Sequence, residues 1–260
     1  MKKLTVLFIM ALGIFASCVP YPEENPDPIP PASTMFLKKI IETDLAGTTY
    51  QEDYTYSGSK IVSSLNSDGE STVFTYNDLD QIIKTEVFTG ATPTLKETNN
   101  YVYDISENLI SLVKINATTL TGTKWVYVHN ANGTISYQKF TGNDVDQTEL
   151  VATGELSATK VVETITDPVT TEVTINTSTF AYDSRNSPFM NVTGFDKIYF
   201  AESELPLNFK NNVISEVYQV NDEASTLEYN NEYTYTNNHF PNKMSTKQAG
   251  VIVAETNYFY

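Results

Sequence analysis

The sequence predicts an all-β protein: an antiparallel meander of β-hairpins with a period of about 26 residues, rolled into a barrel-like sheet. Three observations predict it. Pairs of aromatic or apolar residues two apart recur at a nearly fixed interval from Tyr54/Tyr56 to Tyr258/Tyr260. Polar turns rich in Asn and Asp follow them, as in Asn77-Asp78-Leu79-Asp80 and Asn130-Ala131-Asn132-Gly133. These residues accept left-handed backbone and bond their own main chain. No stretch beyond the N-terminal leader keeps an apolar 3.6-residue period, so helices are not expected.

Residues 1–17 read as a signal peptide. Lys2 and Lys3 precede an apolar run, Leu4 to Phe15, that is too short for a permanent membrane span. Ala16 and Ser17 are small and stand directly before Cys18, the single cysteine of the chain. Phe15-Ala16-Ser17-Cys18 resembles a bacterial lipobox, which implies acylation of Cys18 and a lipid anchor in the membrane. Residues 18–34 form a tether: six of the eleven prolines lie between Val19 and Ala32. Such a segment favours an extended polyproline-like spacer over packed structure. Glu23, Glu24 and Asp27 resemble the acidic surface-export signals of Bacteroidota lipoproteins, which implies display on the cell surface.

Residues 35–260 read as one all-β repeat domain. Residues i and i+2 share a strand face, so Tyr101 and Tyr103 point together and Val102 points away. The pairs are Tyr54/Tyr56, Phe74/Tyr76, Tyr101/Tyr103, Tyr127/His129, Phe180/Tyr182, Leu207/Phe209, Tyr233/Tyr235 and Tyr258/Tyr260, with a degenerate member near Glu155/Ser157. Each belongs to a hairpin, which gives roughly eighteen strands, fewer if the irregular stretch omits one. That is too many for a flat sheet, so the sheet must roll or divide into two layers. The chain opens and closes on half a repeat, so its first and last arms are expected to pair and remove two exposed edges. Lys, Glu and Asn on both strand faces argue against a membrane barrel.

The run Tyr103-Asp104 to Asn108-Leu109 resembles the YD repeats of the RHS superfamily. With the lipobox and the proline tether, the whole is similar to outer-membrane lipoproteins of Bacteroidota. The resemblance implies hairpin geometry and a location in the outer membrane, and no activity. Ser184 to Pro206 breaks the repeat. It reads either as a loop that plugs one end of the sheet or as a binding loop, with Pro188 opening a single helical turn and Gly194 ending it.

Chemistry is narrowed by what is scarce. A formal net charge of −16 repels nucleic-acid phosphates, so no nucleic-acid partner is expected. Two histidines and one cysteine leave little material for a metal centre or a thiol enzyme, and no cofactor is implied. His129 holds a paired strand position and His239 a turn. Asn143 to Asp146 alternates oxygen donors but lacks the glycine and distal glutamate of a calcium loop. No catalytic residue is assigned. The expected function is non-enzymatic binding or scaffolding for a glycan, a peptide or another envelope protein. Phe189, Phe195, Tyr199 and Phe200 are the ligand-binding candidates because the repeat does not account for them, and Trp125 is a second candidate. The alternative is a polysaccharide-acting hydrolase that uses a carboxylate pair.

Overall fold

A computed structural model describes residues 35–167, 169–203 and 205–260. The signal peptide, Cys18 and the tether lie outside the described residues. Eight strands run away from the end where the domain begins: β1 (Lys39–Asp44), β3 (Lys60–Asn66), β5 (Ile82–Thr89), β7 (Leu109–Asn116), β9 (Ile135–Asn143), β11 (Lys160–Thr166), β13 (Val213–Val220) and β15 (Pro241–Gln248). Eight return: β2 (Thr49–Ser57), β4 (Glu70–Tyr76), β6 (Thr94–Tyr103), β8 (Thr121–His129), β10 (Gln147–Leu156), β12 (Val173–Tyr182), β14 (Thr226–Tyr235) and β16 (Val251–Phe259). Each strand pairs with its sequence neighbours, and β1 pairs with β16 from Lys39↔Phe259 to Asp44↔Ala254, so the sheet is a closed barrel of 16 strands. The two half-repeats at the ends of the domain complete one another.

Two expectations are corrected here. Among the described residues the strands number 16 rather than eighteen, because the irregular stretch omits one hairpin: the pair Leu207/Phe209 lies in no strand. The exclusion of a membrane barrel is also withdrawn. It rested on polar residues along the strands, but an even-numbered antiparallel sheet closed without edges is the architecture of outer-membrane barrels.

A repeated turn builds the end at which the domain starts. Asn77 N–H donates to the Gln81 carbonyl and Asp80 N–H to the Asn77 carbonyl; Asp104 with Asn108 and Glu107, Asn130 with Thr134 and Gly133, and Thr236 with Phe240 and His239 do the same. The fourth residue of each turn has positive φ: Asp80 61°, Glu107 63°, Gly133 83° and His239 65°. Asn77 and Asp104 hold this shape with their side chains, as when Asp104 Oδ1 accepts from the N–H groups of Ser106 and Asn108 at 2.8 and 2.9 Å. Those bonds hold the Asp104 carboxyl below its ordinary pKa, with Asn108 as the main cause.

In three repeats the aromatic residue before the turn latches the preceding hairpin. Tyr56 Oη donates to the Leu37 carbonyl at 2.7 Å, Tyr103 Oη to Ile82 at 2.7 Å, and His129 Nε2 to Leu109 at 2.9 Å. The residues that supply those carbonyls are 0–1 % exposed, so each latch closes over a buried aliphatic side chain. The aromatic repeat is thus a structural device of this end of the barrel.

The segment between β12 and β13 replaces one such turn. Asp183 N–H donates to the Asn212 carbonyl, and Asn212 N–H returns to Asp183 Oδ1 at 3.0 Å, which reproduces the clasp of Asp104 and Asn108. Between the clasp residues the chain folds into the barrel and forms α1 (Phe195–Ser203). The expected order around Gly194 is reversed: residues 188–194 are turns, and the helix follows the glycine. Gly194 sits at φ 77°, and a Cβ there would come 2.7 Å from the Asp80 carbonyl oxygen, so glycine is needed for this close approach. Ile198, Phe200 and Ala201 of α1 join Ile82, Tyr101, Leu112, Tyr127 and Ile135 of the wall in one core cluster.

Candidate functional site: chambers between plug and wall

Inward-facing side chains of the strands do not all reach the plug, and chambers open where they fall short. One has a volume of about 350 Å³ and lies between α1 and the wall from β8 to β13. Trp125, Tyr127 and Tyr218 supply aromatic surface, while Lys139, Glu163, Asn176 and Glu216 supply polar groups. Trp125 is paired across the strands with Lys139, whose ammonium stands 5.3 Å from the indole ring; Lys114 stands 5.8 Å from it. Tyr137 Oη donates to Glu163 at 3.1 Å, and Tyr218 Oη donates to Asn176 Oδ1 at 2.8 Å. Gly154 makes room for this wall. A Cβ at that position would lie 2.3 Å from the Tyr137 ring, so the glycine lets the tyrosine lie across β10.

A second chamber of about 330 Å³ lies between the plug and the wall from β2 to β6. Its surface includes Tyr54, Phe74, Tyr101 and the carboxylates Glu52, Glu97 and Glu202. Tyr54 Oη donates to Glu52 at 2.9 Å and Tyr101 Oη to Glu202 at 2.7 Å. Burial, reinforced by those carboxylates, pushes both tyrosine hydroxyls up in pKa. A third chamber, about 210 Å³, adjoins β13, β14 and Tyr258 of β16.

The structure gathers three of the four aromatic candidates and separates the fourth. Phe189 stacks on Phe195 with ring centroids 4.7 Å apart and meets Tyr54 edge-on at 5.4 Å. Tyr199 packs against Phe209 at 5.3 Å, and burial raises its hydroxyl to about 12. Phe200 turns to the other side and meets the Tyr127 ring edge-on at 5.2 Å. All four line chambers from the plug side, and none forms an outward contact patch. Trp125 lines the chamber between α1 and β8–β13. Sequence reasoning missed Lys139, Glu163, Asn176 and Glu216, and also Glu97 and Asn99. Each sits at an ordinary alternating strand position, and only closure of the barrel makes them converge.

The histidines and the Asn143 segment have local roles. His129 is a latch, and His239 is the positive-φ residue of a turn. Asn143 Oδ1 accepts from the N–H groups of Val145 and Asp146 and so shapes a hairpin tip.

A family model described as "Uncharacterised protein" matches residues 40–163, which span β1 to β11. A search of curated proteins found no match. Among solved structures, the chain is similar to a porin-like protein from Bacteroides uniformis, at 10% sequence identity and a TM-score of 0.49, over 86% of this chain and 96% of that one.

Proposed function

We propose that this is a lipid-anchored protein of the outer membrane that binds a small glycan inside its barrel without turning it over. One observation carries the reading: the chamber of about 350 Å³ combines aromatic faces with hydrogen-bonding groups on the same wall. Its size falls within the ~300–1,000 Å³ of small-molecule sites. A sugar ring needs an apolar surface for its C–H face and polar partners for its hydroxyls. Trp125 and Tyr218 offer the first; Lys139, Glu163, Asn176 and Glu216 offer the second. The anchor in this proposal is Cys18: metabolic labelling with a fatty-acid analogue is expected to mark the protein, and Cys18→Ala is expected to abolish the label. An unlabelled wild-type protein contradicts the anchor.

Trp125 is the single tryptophan of the chain, so its emission reports on this chamber alone. Oligosaccharides from envelope polysaccharides are expected to shift that emission saturably. Glu163→Gln is expected to weaken the response about tenfold, the loss of one charge-assisted hydrogen bond. No response to any oligosaccharide contradicts glycan binding. The hydrolase remains the second reading because Glu163 and Glu216 line the same chamber. New reducing ends in the titrated mixture, absent from the Glu216→Gln variant, decide in its favour.

A further inference from the structure

We infer that the chamber between the plug and β2–β6 is a site for an organic ammonium ion that bears N–H donors. The inference goes beyond the glycan reading and uses a different chamber. Glu52, Glu97, Asn99, Tyr54, Tyr101 and Phe195 all line it, and no lysine or arginine does. Of its three carboxylates, Glu202 is compensated by Lys114 at 3.2 Å. Glu52 and Glu97 take part in no ion pair among the described residues. The chamber is therefore a negative space with aromatic walls, the setting in which cations are stabilised by carboxylates and ring faces together.

Asn99 gives the independent sign of a ligand. It is 4 % exposed and lines the chamber, and its side-chain oxygen has no hydrogen-bond partner. A buried acceptor without a donor costs free energy, and an N–H group on a ligand removes that cost. A neutral sugar would supply a donor but leave Glu52 and Glu97 unbalanced. A bare metal ion fits poorly: among the described residues no three carboxylate, histidine or cysteine side chains stand close enough to hold one. An alkyl ammonium supplies both the donor and the positive charge. Its N–H groups meet Asn99 and a carboxylate while its methylenes lie on Phe195 and Tyr54.

The test is calorimetric titration of the full chain at about 0.15 M salt, where diffuse attraction to the acidic surface is screened. The probes are 1,4-diaminobutane, tetramethylammonium and 1,4-butanediol. One equivalent of 1,4-diaminobutane is expected to bind, with tetramethylammonium at least tenfold weaker because it has no N–H. No measurable binding is expected for the neutral diol. Glu97→Gln, which keeps size and shape, should weaken the diamine about tenfold, and Asn99→Leu should do so without changing the tetramethylammonium response. Trp125→Phe, in the other chamber, should leave diamine binding unchanged, so failure of the glycan reading does not affect this result. Saturable binding insensitive to Glu97→Gln, equal binding of diamine and tetramethylammonium, or no binding of the diamine overturns the inference. Each variant is checked for the wild-type melting curve, and Glu52→Gln stands in if Glu97→Gln fails to fold.

Discussion

The wall and the plug of this barrel solve the same problem by opposite means. The wall uses repetition: buried aliphatic residues, latches at Tyr56, Tyr103 and His129, and Asx-type turns recur along it, so its stability is spread over many similar contacts. The plug occurs once. It replaces a turn of five residues, Asp104 to Asn108 in the repeat, with the excursion from Asp183 to Asn212 on the same side-chain clasp. Its contribution is concentrated in a few large side chains, with Ile198 at 1 % and Phe200 at 8 % exposure. The barrel is too wide for wall side chains alone to fill, so the excursion supplies the missing core. The chambers are what it leaves over. A regular wall with an irregular filler gives unlike groups a place to converge, which repetition by itself does not do.

The comparison breaks most visibly if a plug residue proves dispensable. Phe200→Ala is expected to cost about 3–5 kcal/mol in urea denaturation, the range for deleting a buried aromatic side chain. A loss under about 1 kcal/mol would show that the plug is not core. A smaller effect sharpens the other side. Tyr103→Phe removes one latch and nothing else, so about 1 kcal/mol should be lost. Tyr56→Phe should add to it independently, since the two latches hold different hairpins. Strong non-additivity would mean that the wall does not behave as a sum of repeats.

The smallest effect concerns pH. The carboxyls of Asp104 and Asp167 are both held below the ordinary value of 3.8 by backbone N–H donors, chiefly those of Asn108 and Thr170. A depressed folded-state pKa stabilises the fold above the unfolded value, and the contribution fades as pH falls through the folded one. Melting temperature should therefore be insensitive to these two groups above about pH 5 and decline below 3.8. Asp104→Asn should show a shallower acid decline than the parent.

The wall was legible in the sequence residue by residue and the plug only as a break in the repeat, for physical reasons. Period-two pairing fixes a strand face, and Asn or Asp after the tyrosine fixes the turn, so Tyr101-Val102-Tyr103-Asp104 states its structure locally. Leu207-Asn208-Phe209 has the same spacing but lies in the plug, because spacing says nothing about where a chain is held. The informative signal was Asp183 with Asn212-Val213, the two halves of the turn motif separated by the whole excursion. Helix α1 escaped notice because the barrel surrounds it, and apolar residues on several sides leave no clear 3.6-residue stripe. Phe189, Phe195, Tyr199 and Phe200 were visible as departures from the repeat, and all four border chambers. Their polar counterparts on the wall were not visible, because Lys139, Glu97 and Asn99 become neighbours of anything only after the sheet closes.

The central claim is that the excursion between β12 and β13 stands inside the closed barrel and is joined to its wall. Thr193 of the plug and Ser59 of the β2–β3 turn test it directly. Their hydroxyl oxygens are 2.7 Å apart, and Thr193 N–H donates to the Ser59 carbonyl at 2.9 Å. In a Cys18→Ala background, Ser59→Cys with Thr193→Cys should oxidise to a disulfide in the folded protein, confirmed by peptide mass mapping. Closing so long a loop should raise the melting temperature. Two free thiols persisting in the folded, oxidised protein would contradict the claim.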